Sequence, residues 1–128
     1  VARSLAGDLP LAFDSAGTAD WHRGKPPYGP MQAAAARRGY DLSGLRARAV
    51  TPADLRDFDL IVAMDADNLA ALSRLPGAAE ARLALLTAYD PQRAADHVPD
   101  PYYTRDFDGA LALIERCVKA LIRAEAPA

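Results

Sequence analysis

The sequence predicts an α/β domain in which a small parallel sheet is flanked by helices. Two short runs, the five apolar residues 60–64 between Asp59 and Asp65 and the four at 83–86, are unbroken by polar residues, as in parallel strands buried on both faces. Helical patterns separate and follow them. The clearest closes the chain: Phe107, Ala110, Leu111, Ile114, Cys117, Val118, Leu121 and Ile122 recur at helical spacing and predict an amphipathic helix over 106–123. Strands alternating with helices give a parallel sheet, and ligands of such sheets bind beyond the carboxyl ends of the strands.

The elements follow in order. Residues 1–6 read as the end of a helix stopped by Gly7. Leu11, Ala12 and Phe13 lead into Asp14 and Ser15, a strand at 11–14 that turns polar at its end. From Ala16 to Gly29, glycines and prolines break regular structure and make a long loop carrying Trp21, His22 and Tyr28. Pro30 suits a first helical turn, and a helix over 31–38 is ended by Gly39. Thr51-Pro52-Ala53-Asp54 is a capping box with Asp in place of Glu, opening a short helix to Arg56. Asp65 and Asp67 then open a helix over 68–75, where their charges suit the N-terminal dipole.

With 128 residues, 51% of them hydrophobic, the chain has the size of one domain with its own core. Formal charge is −2, and thirteen arginines and two lysines are scattered rather than massed, which argues against nucleic acid or an anionic membrane as partner. No apolar run approaches membrane-spanning length, and no signal-peptide pattern opens the chain. The single cysteine, Cys117, excludes an intramolecular disulfide and fits a reducing, cytoplasmic compartment. It falls on the apolar stripe of the last helix, so it reads as a buried structural thiol.

The candidate site is built around Val98-Pro99-Asp100-Pro101-Tyr102-Tyr103. Two prolines make this a stiff loop, and a carboxyl beside aromatic rings is a general-acid candidate because reduced solvation raises its pKa toward working pH. An ordinary surface turn is the alternative. Asp14-Ser15, Asp65 and Asp100 all lie past the carboxyl ends of predicted strands and are expected to share one rim facing Trp21. Asp65 taken alone reads equally as a helix cap, and Ser15 as a turn residue. His22 and His97 read as exposed loop histidines.

These residues, in this order, resemble the low-molecular-weight protein tyrosine phosphatases over nearly the whole chain. The matching stretches are Asp14-Ser15-Ala16-Gly17-Thr18, Trp21-His22-Arg23-Gly24-Lys25-Pro26-Pro27, Ala47-Arg48 with Thr51-Pro52, Ile61-Val62-Ala63-Met64-Asp65, Tyr89-Asp90-Pro91 and Asp100-Pro101-Tyr102-Tyr103. The resemblance implies a Rossmann-like sheet of four strands, three of them in these residues. It also implies a phosphate monoesterase working through a phosphocysteine, with no metal or other cofactor. Asp100 matches the general acid, Trp21, Tyr102 and Tyr103 the aromatic walls of the cleft, and Ser15 and Asp65 residues that brace the phosphate loop. The implied partners are a phosphotyrosine protein or a small aryl phosphate, for a monomer or weak dimer.

The family's Cys-x5-Arg nucleophile loop, which follows its first strand, does not occur in this sequence. Val1 matches the middle of the family's first helix. A single phosphatase-like domain over 1–128 is therefore expected to lack its first strand and phosphate loop, which are expected upstream of Val1. The 128 residues by themselves are expected to be inactive and poorly folded. Leu45 stands where the family commonly has His, and Tyr28 and Pro30 where it has Asp and Arg. These departures favour a second reading, a non-catalytic phosphoprotein-binding relative. Arsenate reduction is a third, disfavoured because it needs further cysteines.

Overall fold

The computed structural model describes residues 1–7, 9, 11–18, 24–92, 97–99 and 104–125. The helices are α1 (Ala2–Ala6), α2 (Gly29–Arg37), α3 (Pro52–Asp57), α4 (Ala66–Ser73) and α5 (Phe107–Glu125). Strands β1 (Ile61–Ala63) and β2 (Leu83–Leu85) pair in parallel, Ile61 opposite Leu83 and Ala63 opposite Leu85. Single 3₁₀ turns flank β2, at Ala78–Glu80 and Leu86–Tyr89.

Local chemistry accounts for most boundaries. Gly7, Gly39 and Gly77 take left-handed φ values of 56°, 87° and 90°, and the first two stop α1 and α2 as the sequence requires. The Asp54 carboxylate reaches back over the start of α3, accepting from the Thr51 N–H at 2.8 Å and the Thr51 hydroxyl at 3.3 Å. Asp106 caps α5 by accepting from the Gly109 N–H at 2.8 Å. A Cβ on Gly109 would collide with the Asp106 carboxylate, so glycine at 109 leaves that carboxylate room to cap the helix.

Helix α5 is the spine of the core. Ala110, Leu111, Leu113, Cys117, Val118, Leu121 and Ile122 are buried along it. One cluster joins its C-terminal half to Ala6 of α1, Leu86 and Val98, with Leu60 and Val62 of the β1 segment packed on it. A second joins Leu111 to Ala34 and Ala35 of α2 and to Tyr40. Helix α4 packs against both strands.

The α/β class is as expected, with one element different. The predicted strand at 11–14 forms no ladder, and the described sheet has two strands. Leu11 and Phe13 still pack on the first cluster, and the Phe13 carbonyl accepts from the Arg3 guanidinium. The side chains thus keep their buried positions, but a strand needs a neighbour to exchange hydrogen bonds with, and no described residue supplies one. β1 likewise has a ladder on one edge only among the described residues.

Candidate active site at the carboxyl end of β1

Past the last residue of β1 the chain exposes Met64 and turns into α4 at Asp65. The Asp65 carboxylate accepts from the Asn68 N–H at 2.7 Å, satisfying one of the free donors of the helix start. Asn68 in turn places its side-chain amide 3.5 Å from the Thr18 hydroxyl, at the limit of a hydrogen bond. The segment after Asp14 therefore does arrive at the rim that carries Asp65.

That segment is the first foot of the loop holding Trp21. The Gly17 N–H donates to the Arg48 carbonyl and the Val50 N–H to the Gly17 carbonyl, each at 2.8 Å. The other foot is tied to the same neighbour: Gly24 N–H to Ala47 carbonyl at 2.7 Å, and Ala47 N–H to Lys25 carbonyl at 2.8 Å. Residues 47–50 thus clip both ends of the long loop. The segment leading to Asp100 is seated independently, because the Val98 N–H donates to the Met64 carbonyl at 2.8 Å and the Val98 side chain is buried.

Of the predicted site residues, Asp100, Trp21, Tyr102 and Tyr103 lie outside the described residues. Asp65 caps α4, and Ser15 is exposed with its backbone N–H donating to the Asp14 carboxylate at 2.8 Å. Leu45 and Tyr28 are exposed at 38% and 43%, and Pro30 lies in the first turn of α2. Cys117 is fully buried in α5, and that burial, with the nearby Asp90 carboxylate, pushes its thiol pKa up. Such a thiol is neither accessible nor ionised as a nucleophile must be. Among the described residues no group of His, Cys, Asp and Glu could hold a metal ion.

Arg48 carries the strongest electrostatic link near the rim. Its guanidinium meets Asp54 with contacts of 2.9 and 3.2 Å and Asp14 at 3.2 Å, joining α3 to the start of the Trp21 loop. The Arg48 hydrogen bonds, with that from the Thr51 N–H, hold the Asp54 carboxyl below the usual carboxylate range. A pKa lowered on folding stabilises fully above the unfolded value, about pH 4, and is lost as pH falls through the folded value. Arg48→Met is therefore expected to lower the urea midpoint at pH 7 and to have a shrinking effect below about pH 4. The lowered carboxyls of Asp41 and Glu125 are common to both proteins and cancel in the difference. A gap of equal size at both pH values would sink the linkage.

Two contacts were not legible in the sequence. Arg116 of α5 donates to both oxygens of the buried Asp90 carboxylate, at 2.8 and 3.1 Å. Arg105, just before α5, donates to the Tyr28 hydroxyl at 2.7 Å. The match at Tyr89-Asp90-Pro91 marked Asp90, but nothing in the sequence marked which of the thirteen arginines would meet it.

The chain is similar to known proteins in sequence and in fold. The family model for low molecular weight phosphotyrosine protein phosphatase matches residues 2–126. The low molecular weight protein-tyrosine-phosphatase YfkJ of Bacillus subtilis is 38% identical over 113 residues, covering 88% of this chain and 72% of that protein. The low molecular weight phosphotyrosine protein phosphatase of Gallus gallus is 36% identical over 115 residues, covering 86% of this chain and 72% of its own length. The YfkJ crystal structure superposes with a TM-score of 0.88 at 36% identity, covering 96% of this chain and 80% of that one. A protein tyrosine phosphatase from Entamoeba histolytica gives a TM-score of 0.87 at 27% identity, covering 95% and 82%. By sequence and by fold, then, this chain belongs to the low molecular weight phosphotyrosine protein phosphatase family.

Proposed function

We propose that the intact protein hydrolyses aryl phosphate monoesters, phosphotyrosine in proteins among them, through a phosphocysteine intermediate. The nucleophile and its arginine come from a Cys-x5-Arg loop upstream of Val1, whose strand lies along the free edge of β1. In the first step the thiolate attacks phosphorus, the P–O bond to the aryl group breaks, and Asp100 gives its proton to the departing phenolate. In the second, the Asp100 carboxylate takes a proton from water, whose oxygen attacks phosphorus and releases phosphate and the thiolate. Trp21, Tyr102 and Tyr103 wall the cleft, where ring faces sandwich the substrate's phenyl group. Ser15 and Asp65 brace the phosphate loop. No metal or other cofactor takes part, and the protein works in the cytoplasm as a monomer or weak dimer.

The observation that carries this reading is the seating of Val98 on Met64, at 2.8 Å. It brings the chain to the carboxyl end of β1 two residues before Asp100, on the rim shared by Asp65 and Thr18. Family membership supports the reaction class.

The test is turnover of p-nitrophenyl phosphate near pH 5–6 by the full-length protein, with vanadate as inhibitor and the intact mass measured alongside. Expected are vanadate-sensitive turnover and a mass roughly two kilodaltons above that of the 128 residues, about the weight of twenty residues. Cys117→Ala is expected to keep that turnover while costing about 1–2 kcal/mol of stability from the lost core sulfur. Loss of turnover in a folded Cys117→Ala protein would move the nucleophile to α5. No turnover in the full-length protein would favour a phosphoprotein-binding relative.

A further inference from the structure

We propose that Tyr28 and Arg105 form a clamp that positions the general acid, a role that rests on the assignment of Asp100 made above. Arg105 is the second residue after the 100–103 segment, and Tyr28 is the residue before α2. The Arg105 Nη1 donates to the Tyr28 hydroxyl oxygen at 2.7 Å, joining positions 77 residues apart. The same guanidinium stands 5.9 Å from the centre of the Tyr28 ring. That distance is at the outer limit of a cation–π contact, so the hydrogen bond is the stronger link.

Both partners are held from behind. The Tyr28 ring lies 6.1 Å from that of Phe107, tilted by 33°, and Phe107 packs on the core cluster of Ala34, Ala35 and Leu111. Arg105 has the only left-handed φ of any non-glycine among the described residues, 61°. A side chain in that region is disfavoured and persists where neighbouring contacts fix it. Here the Asp106 N–H donates to the Thr104 hydroxyl at 3.2 Å, and Asp106 is the cap of α5. The turn that aims Arg105 at Tyr28 is thus locked to the start of the spine helix.

The residues on either side of the stretch that contains Asp100 are therefore both anchored. Val98 fixes its entry to β1, and Arg105 fixes its exit to Tyr28. A general acid contributes only when its proton is within hydrogen-bond reach of the leaving oxygen, so a loosened anchor reduces proton transfer before it affects phosphate binding. Tyr28 and Arg105 act through Asp100 and are positioning residues.

The experiment compares phenyl phosphate, whose leaving group needs a proton, with dinitrophenyl phosphate, whose leaving group does not, in the full-length protein. Arg105→Ala and Arg105→Gly are expected to lower kcat/KM for phenyl phosphate about tenfold, and Tyr28→Phe several-fold. Dinitrophenyl phosphate is expected to stay within about twofold, and Arg105→Lys to restore part of the loss. The glycine variant separates the guanidinium from the turn, since glycine takes the left-handed φ without strain. Recovery of full activity by Arg105→Gly, or equal losses on both substrates, would overturn the clamp. So would unchanged phenyl phosphate turnover in all three variants while Asp100→Asn still discriminates between the substrates. If Asp100→Asn itself does not discriminate, the acid assignment fails and the clamp falls with it.

Discussion

Asp100→Asn is expected to lower kcat/KM for phenyl phosphate by about a hundredfold or more, the usual contribution of a positioned acid, while barely changing the Ki of competitive phosphate analogues. The asymmetry between substrates carries the test. In the proposed mechanism, kcat/KM reports the steps up to formation of the phosphocysteine, where the P–O bond breaks and a phenolate departs. A basic phenolate needs its proton in that transition state, whereas a dinitrophenolate leaves as a stable anion, so the same substitution is expected to cost it less than about tenfold. The second half-reaction is common to all substrates, because the aryl group has gone. Loss of the base that deprotonates water is therefore expected to lower kcat for both by a similar factor wherever that step limits turnover. Equal losses of kcat/KM for good and poor leaving groups would remove Asp100 from the acid role.

How far the sequence could be read follows from the range over which each interaction acts. Helix α5 was legible almost to its ends, 106–123 expected and Phe107–Glu125 observed, because its signal is a periodicity repeated over five turns. The start of α3 was legible because a capping box is local, and so were the glycine stops of α1 and α2. The strand at 11–14 was not realised, although Leu11 and Phe13 pack where a strand would put them. Apolar pattern sets which side chains are buried, but a ladder needs a second chain segment in register, which pattern alone does not supply.

The same distinction divides the site. Asp65 was placed correctly at the carboxyl end of β1, where sequence and structure both make it a helix cap. The common support of the Trp21 loop was not legible, since residues 47–50 meet its two feet through backbone groups that every residue possesses. Long-range arginine contacts were the least legible. Arg48 reaches Asp14 across 34 positions, Arg116 reaches Asp90 across 26 and Arg105 reaches Tyr28 across 77. Each depends on where packing has already put the helices, so composition reveals the supply of arginines and not their use.

Arg116→Met is expected to lower the urea midpoint at pH 7, and by more than Asp90→Asn does. The two ends of this ion pair are unequal. The Asp90 side chain is wholly shielded from solvent, whereas that of Arg116 is 27% exposed. Removing the arginine takes two charge-assisted hydrogen bonds from a carboxylate shielded from solvent, to which the Gln92 N–H still donates at 2.9 Å. Removing the charge of the acid instead, by Asp90→Asn, leaves an arginine that already reaches water, and is expected to cost only about 1–3 kcal/mol. The double variant is expected to be more stable than Arg116→Met alone, because it no longer buries a carboxylate that has lost its arginine. Urea denaturation of the four proteins at pH 7 closes the cycle. If Arg116→Met and Asp90→Asn cost the same, or if the double variant is the least stable of the four, then packing around residue 90 rather than the buried charge sets the loss. The position matters for function because Asp90 ends the turn leaving β2, from which the chain runs on to Val98 and its seat on Met64.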